Sequence, residues 1–298
     1  MRAPTAETLM AADVLVRSDK PWQSELRLRQ SRWRQRLGLP AGEHRGKALG
    51  SSLPAHDRVS NFLTPAVAMA VEEARGQRGA LISAPRIYTN MLSSQPLTFN
   101  LFAELAADLD TATSVARRLW PDLVETVTEV RFEWSPGRGD LRFLGNRSAF
   151  DVAFAAVDSK GRPTCVGIEV KYHEDLTQDP GSTRSARYDV VARESGVFKD
   201  PDEPELRALP LRQLWLDHLL ALSLIGDGDG RCAATRFVLL APVGDLAVAA
   251  ADVRYRKALS DALTYERRAI EEVVAVIAGV VSAPWIHDFR ERYLLPAT

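Results

Sequence analysis

The spacing of apolar residues predicts helices along most of the chain. In the segment 97–110, Leu101, Leu105 and Leu109 recur at the four-residue interval that places side chains on one face of a helix. Pro and Gly residues separate several of these segments, at positions where they end helices. The predicted helices span residues 22–37, 63–75, 97–110, 111–119, 210–225, 247–264, 265–281 and 284–294.

Runs that are rich in β-branched and aromatic residues predict strands between these helices. Residues 124–134 form one such run. Two further apolar runs lie on either side of a polar turn that contains Gly161 and Pro163, a pattern typical of a β-hairpin. A strand at 237–241 follows the helix at 210–225, so a crossover connection would join it to the hairpin.

The order of these elements predicts an α/β protein with one mixed sheet. A helix, three mostly antiparallel strands, a crossover helix and a further strand would form an α-β-β-β-α-β core at residues 93–245. A mostly helical extension at 1–92 would precede the core, and the C-terminal helices at 246–298 would pack on it. The polar segment 175–202 predicts a long loop or irregular helix beside a cleft.

Charge and composition exclude several classes of protein. The 298 residues carry a net charge of −1, so no global basic field marks a non-specific nucleic-acid binder. Cys165 and Cys232 are too few for a disulfide framework, and no secretory signal or membrane-spanning apolar run occurs; we therefore expect a cytoplasmic protein. Phosphate-binding loops, hydrolase elbows and dinucleotide fingerprints are also absent from the sequence.

The helix at 22–37 carries a local concentration of positive charge. Its arginines alternate with apolar residues, and a basic helix of this kind would lie along a phosphate backbone. Alternatively, the arginines pair with acids elsewhere in the chain, which is the interpretation that we favour. The five arginines are Arg27, Arg29, Arg32, Arg34 and Arg36.

Charged residues in the hairpin are the most informative chemical feature. Side chains alternate along a strand, so Glu169 and Lys171 share one face while Val170 points to the other. Asp151 lies near the start of the preceding strand. Asp151 and Glu169 would bind Mg²⁺, or Mn²⁺ in its place, and Lys171 would orient an attacking water beside a phosphate. Alternatively, Glu169 and Lys171 form an ion pair on a solvated strand face.

These residues resemble the PD-(D/E)xK nuclease superfamily. The resemblance rests on Asp151 and on Glu169-Val170-Lys171 across a hairpin. Three further segments resemble a bacterial family of restriction endonucleases within it: Ser93 to Phe102, Phe132 to Arg138, and Ile168 to Glu174. The superfamily has Pro before the first acid, whereas this chain has Phe150. The resemblance implies a restriction-endonuclease-like core with helical additions at both ends.

The resemblance also implies supporting residues on the two core helices. Glu104 matches the position at which a glutamate of the first core helix often joins the metal ligands. Gln213 matches a polar residue that faces the site from the helix after the Glu-x-Lys strand. The alternatives are an exposed glutamate and a surface amide. Glu133, at the end of a strand, would be an acid behind the metal ligands.

The remaining candidates lie beside the hairpin. His173 would assist proton transfer, although a lone histidine is more often structural or in contact with the substrate. Arg138 and Arg147, in the turn between two strands, and Tyr172, directly after Lys171, are the residues that we expect to contact nucleic acid.

The sequence therefore predicts a Mg²⁺-dependent endonuclease that hydrolyses DNA, and the resemblance alone implies a role in restriction or defence against foreign DNA. Cleavage of both strands would indicate a homodimer, since one site cuts one strand at a time. The alternatives are a non-catalytic DNA-binding or assembly module on the same fold, and a nuclease that acts on RNA or structured nucleic acid.

Overall fold

A computed structural model of the chain describes residues 3–177, 185–226, 228 and 230–295. Its helices begin where the sequence offers caps: Thr64 and Ser93 accept hydrogen bonds from backbone N–H groups of the first helical turns that follow them. The helices are α1 (Ala6–Ala11), α2 (Pro21–Arg36), α3 (Pro65–Gly76), α4 (Arg86–Thr89), α5 (Ser94–Ala107), α6 (Leu109–Leu119), α7 (Ala186–Ser195), α8 (Leu211–Leu222), α9 (Leu246–Ala258), α10 (Ile270–Ala278) and α11 (Pro284–Tyr293), with a 3₁₀ turn at Pro204–Arg207.

A five-stranded mixed sheet forms the centre of the fold. A separate hairpin, β1 (Gly42–His44) and β2 (Lys47–Leu49), lies outside it. The strands of the central sheet are β3 (Thr126–Trp134), β4 (Phe150–Val157), β5 (Pro163–Val170), β6 (Ala234–Ala241) and β7 (Tyr265–Ala269), paired in that order. The pairs β3–β4 and β4–β5 are antiparallel, and β5–β6 and β6–β7 are parallel. The predicted α-β-β-β-α-β core is therefore confirmed, with α5 and α8 as its two helices.

The last strand corrects the sequence prediction. Residues 265–281 were expected to form one helix, but Tyr265–Ala269 is a strand and only Ile270–Ala278 is helical. The edge of β6 supplies hydrogen-bond partners for this segment, and such long-range pairing overrides a local helical pattern. The predicted helix at 247–264 also ends earlier, at Ala258. Of the polar segment 175–202, residues 186–195 form α7, and residues 178–184 lie outside the described part of the chain.

The two faces of the sheet carry different helices. Ile168 and Val170 of β5 belong to a hydrophobic cluster with residues of α5, α6, α10 and α11. Cys165 of β5 and Leu239 of β6 belong to a second cluster, with residues of α7, α8 and α9. Because side chains alternate along a strand, Glu169 and Lys171 point to the face that α8 covers. This assignment decides which helices are able to contribute to a site around Glu169.

Gly167 makes room for the aromatic residue that stands where the superfamily has Pro. A Cβ atom at Gly167 would lie 2.5 Å from the Phe150 ring, which is closer than packed carbon atoms approach. Phe150 is fully buried and stacks on Trp134, with ring centroids 6.3 Å apart. The ring therefore fixes the start of β4, directly before Asp151, by packing.

The two ends of the chain pack together against the core. Gln30 of α2 and Arg292 of α11 are both fully buried, and Arg292 donates a hydrogen bond to Gln30 at 3.1 Å. Arg27 pairs with Asp19 at 2.6 Å, and Arg34 donates to the carbonyl of Gly50 at 2.9 Å. These contacts favour the interpretation of α2 as a packed helix over one that lies along DNA. Among the described residues, no helix has both the length and the apolar character needed to cross a membrane.

His218 is expected to make the stability of the fold depend on pH. The side chain is fully buried in α8, and its two ring nitrogens hydrogen-bond the hydroxyl groups of Tyr255 and Thr264 at 2.9 Å each. Burial lowers the pKa of His218 to about 3, whereas an unfolded histidine titrates near ~6.5. The unfolded chain therefore binds a proton that the folded chain does not, and the free energy of unfolding falls as the pH drops from ~6.5 towards ~3, by at most ~5 kcal/mol.

Urea unfolding of the wild-type chain and of His218→Gln at several pH values across this range measures the effect. The variant lacks the ionisable ring, so its stability should change less with pH. If the free energy of unfolding changed equally with pH in the two proteins, the assignment of a neutral buried His218 would be contradicted.

Candidate active site

Three acids occupy neighbouring positions at one end of the sheet. In the register of the hairpin, Val152 is opposite Ile168, so the next pair outward is Asp151 and Glu169. The β3–β4 register pairs positions 132 with 152 and 134 with 150, which places Glu133 beside Asp151. Adjacent strands lie ~4.8 Å apart, so the three carboxyl groups are within reach of one another.

Hydrogen bonds hold two of these acids in place. Asp151 Oδ2 accepts the backbone N–H of Val170 at 2.8 Å. Glu169 Oε1 accepts from Lys171 Nζ at 2.8 Å and from Gln213 Nε2 at 2.6 Å. Each carboxyl group thus commits one oxygen and leaves the other, Oδ1 of Asp151 and Oε2 of Glu169, without a hydrogen bond among the described residues.

The site concentrates negative charge, and the pKa values respond. Burial and the nearby carboxylates of Glu169 and Glu133 raise the pKa of Asp151 well above its ordinary value. Burial also raises the pKa of Glu133, and the charge on Glu169 adds to the rise. For Lys171, burial acts to lower the pKa, but Glu169 and Asp151 outweigh it and the pKa is raised. Lys171 is therefore a charged ammonium with carboxyl groups beside it.

A fourth acid lies on α8. Asp217 follows Gln213 by one helical turn, so both side chains project from the same face of the helix. Only 6% of Asp217 is exposed, and its Oδ2 has no hydrogen-bond partner among the described residues. Burial and the charge of Glu169 raise the pKa of Asp217, while the ammonium of Lys171 acts to lower it.

The donor set suits a hard divalent cation. Across the described residues, no group of three or more His, Cys, Asp or Glu side chains is arranged to hold a metal ion. Mg²⁺ needs fewer protein ligands than that, because it retains several waters and is commonly held by one or two carboxylates. The uncommitted oxygens of Asp151 and Glu169 meet this requirement. A cation there would also offset the repulsion that raises the pKa of Asp151.

Comparison with known sequences agrees with this geometry. The family model of the PD-(D/E)XK nuclease superfamily matches residues 17–295. The chain belongs to this superfamily. No match was found among curated proteins or among solved structures. Superfamily membership indicates nuclease activity in general terms, and the matched range includes the hairpin with Asp151, Glu169 and Lys171.

The structure does not bring Glu104 to the acids. Glu104 lies on α5, which packs on the sheet face opposite the one that α8 covers. Its carboxylate accepts a hydrogen bond from the Thr64 hydroxyl at 2.5 Å, at the start of α3. The residue of α5 that does approach the acids is Gln95, near the start of the helix, which donates to Glu133 Oε1 at 2.9 Å.

Two residues directly after Lys171 also turn away. Tyr172 is 1% exposed, and its hydroxyl bonds Gln30 and the carbonyl of Tyr293, both at 3.2 Å, so it is a core residue rather than a surface that meets nucleic acid. The ring of His173 lies 3.3 Å from an Arg27 nitrogen and 3.6 Å from an Asp19 oxygen. In this structure His173 attaches the N-terminal segment to the end of β5.

A basic cleft opens beside Glu133. It has a volume of about 630 Å³, and its lining includes Trp134, Arg138, Arg147 and Arg78. Arg138 donates to the backbone carbonyls of Glu133 and Arg147, at 2.7 Å and 2.8 Å, and so holds the turn against β3. Among the described residues, the guanidinium groups of Arg78 and Arg147 make no hydrogen bond or ion pair.

Sequence reasoning missed the contributions of Asp217, Gln95 and Arg78. Asp217 carried a signal, since it lies one turn after Gln213 on the helix that faces the site. Glu133 was expected behind the metal ligands, whereas the structure places it beside Asp151. Its backbone φ of 48° is left-handed, a conformation that non-glycine residues adopt at a cost of ~1–3 kcal/mol and that is frequent at functional sites. No local pattern marks Arg78.

Proposed function

We propose that this protein is a divalent-metal-dependent endonuclease that hydrolyses phosphodiester bonds of DNA in the cytoplasm. The observation that carries the proposal is the placement of Asp151 beside Glu169, with Lys171 bonded to Glu169, at one end of the sheet. A carboxyl pair and a buried ammonium in contact are costly to keep in a fold, and such groups concentrate where chemistry requires them.

Each residue of the motif has a role that its contacts support. Asp151 Oδ1 and Glu169 Oε2 would hold Mg²⁺ or Mn²⁺, which supplies Lewis-acid stabilisation of the phosphate oxygens when bound. Lys171 donates a hydrogen bond to the attacking water and offsets the charge that develops on the phosphate. Gln213 fixes the carboxyl orientation of Glu169 through the 2.6 Å hydrogen bond to Oε1. Phe150 packs against Gly167 and so fixes the position of Asp151, the next residue in the chain.

The cleft beside Glu133 supports a nucleic-acid substrate. Arg78 and Arg147 line the cleft, their guanidinium groups have no partner among the residues that the structure describes, and such groups bind phosphates through paired hydrogen bonds. The net charge of −1 agrees with binding through a few local contacts, which salt would weaken. Alanine at Arg147 should reduce DNA affinity and the salt dependence of binding together.

Supercoiled plasmid tests the activity. We expect nicking with Mg²⁺ or Mn²⁺, none with EDTA, and a loss of at least ~100-fold in Asp151→Ala. Asp158→Ala is the matched control, because Asp158 lies in the turn of the same hairpin and caps backbone N–H groups there. Binding without cleavage under every metal condition would instead support a DNA-binding module, and preferential cleavage of single strands or RNA would change the substrate class.

The biological setting follows from the segments that resemble bacterial restriction endonucleases, and we propose defence against foreign DNA. A strain that carries the wild-type gene should reduce phage plating, and a strain with Asp151→Ala should not. Linear products from plasmid would indicate cleavage of both strands, and sedimentation would then show whether two copies of the chain act together.

A further inference from the structure

Asp217 is the acid of this site for which the motif provides no role. It follows Gln213 by one helical turn, and the Gln213 amide bonds Glu169 at 2.6 Å, so Asp217 lies on the face of α8 that meets Glu169. Its Oδ2 is buried and unpartnered within the described residues. Buried polar atoms in native proteins nearly always have a partner, so a carboxyl oxygen that lacks one calls for a functional explanation. The fold itself gains nothing from a buried carboxyl oxygen that has no partner.

Contacts around Glu169 suggest what that explanation is. Lys171 Nζ donates a hydrogen bond to Glu169 Oε1 at 2.8 Å. A divalent ion on the other oxygen of Glu169 would place a second positive charge close to the ammonium, and the two cations would repel each other. Glu169 would also share its negative charge with the ion. Both effects weaken the attachment of Lys171 at the moment when the reaction needs it.

We propose that Asp217 is a positioning residue that holds Lys171 in the site while Glu169 binds the ion. The unpartnered Oδ2 lies one helical turn from Gln213, which bonds the same oxygen of Glu169 as Lys171 does, and no other described residue uses it. The ammonium of Lys171 has three protons to donate, and the contact with Glu169 Oε1 commits one of them. In this role Asp217 acts on Lys171 rather than on the metal. The inference rests on the proposed metal-dependent function.

A double-mutant cycle tests this role. Mn²⁺ binding to the DNA-free protein is measured by calorimetry for the wild type, Asp217→Asn, Lys171→Met and the double variant. We expect Asp217→Asn to weaken Mn²⁺ binding about tenfold, as the loss of one charge-assisted hydrogen bond would, and to lower kcat without changing the KM for DNA. In the Lys171→Met background, the same substitution should change the affinity less than about twofold.

Asp245→Asn is the matched control. Asp245 is another fully buried acid with an unpartnered Oδ2 among the described residues, but it caps α9 and takes no part in the motif. Asparagine caps helices as well as aspartate does, so Mn²⁺ binding and activity should stay at the wild-type level. Urea unfolding without metal provides the second readout: Asp217→Asn should be at least as stable as the wild type.

The outcomes separate the alternatives. Equal weakening by Asp217→Asn in both backgrounds would show that Asp217 acts on the ion directly, and would overturn the inference. Wild-type Mn²⁺ affinity in Asp217→Asn would do the same, as would loss of the fold in both Asp217→Asn and Asp217→Ser, because the role would then be structural. A wild-type chain that neither binds Mn²⁺ nor cleaves DNA would remove the proposed function as well.

Discussion

Lys171→Met is expected to lower the cleavage rate ~100- to 1000-fold, because the variant loses the ammonium that stabilises charge on the phosphate. It should also destabilise the metal-free protein by ~3 kcal/mol, since removal of one partner leaves the other charge buried and uncompensated. Lys171 and Glu169 are 8% and 7% exposed, and their 2.8 Å contact is the one to be lost. Plasmid nicking and urea unfolding in EDTA measure the two effects.

Two further variants test whether the loss of stability in Lys171→Met comes from breaking the ion pair with Glu169. The double variant Lys171→Met with Glu169→Gln should regain most of the lost stability, because neither charge of the pair remains. It should regain no activity. Lys160→Met is the control for loss of a lysine: Lys160 is exposed in the turn of the same hairpin and should change stability by less than ~0.5 kcal/mol. A Lys171→Met protein with wild-type activity would remove Lys171 from the mechanism.

Asp151→Asn is expected to abolish cleavage and yet to stabilise the metal-free protein. Asparagine keeps the size of the side chain and an oxygen that accepts the 2.8 Å hydrogen bond from Val170. It removes a carboxyl group whose pKa is raised by burial, by Glu169 and by Glu133. We expect activity to fall at least ~100-fold and the free energy of unfolding in EDTA to rise by ~0.5–2 kcal/mol, as for other substitutions that relieve strain at functional sites.

The stability difference between the wild type and Asp151→Asn is expected to depend on pH. The folded chain holds a proton on Asp151 at pH values where the unfolded chain has released it, so the wild type loses stability as the pH rises from ~4 through the raised pKa of the folded state. The asparagine side chain of the Asp151→Asn variant does not ionise, and the difference between the two proteins should therefore grow with pH. Unfolding curves at about pH 5 and about pH 8 measure this.

Asp158→Asn, on the same hairpin, is expected to change stability in the opposite direction. Hydrogen bonds from the backbone and side chain of Arg162 lower the pKa of Asp158, so its charged form stabilises the fold. Loss of that charge should destabilise the protein at neutral pH and matter less in acid. If Asp151→Asn and Asp158→Asn changed stability in the same direction at neutral pH, the repulsion assigned to Asp151 would be contradicted.

Local patterns predicted the core strands well and the last strand poorly. The hairpin of β4 and β5 is encoded by two apolar runs and a Gly-containing turn that are contiguous in the chain. β7 is short and begins Tyr-Glu-Arg-Arg, without the alternation that would separate it from the helix that follows. Its pairing partner, β6, ends more than 20 residues earlier, so only the assembled sheet shows that an edge is open there.

The candidate site divides in the same way. The sequence alone determined that Glu169 and Lys171 share a face and that Asp151 precedes them on the neighbouring strand, because strand alternation and a short turn are properties of adjacent residues. Only the tertiary structure decided which helices meet those residues. The packing of α5 on the opposite face of the sheet directs Glu104 to Thr64, while α8 brings Gln213 and Asp217 to Glu169. The face on which a helix packs is set by apolar contacts between distant parts of the chain, which no local pattern contains.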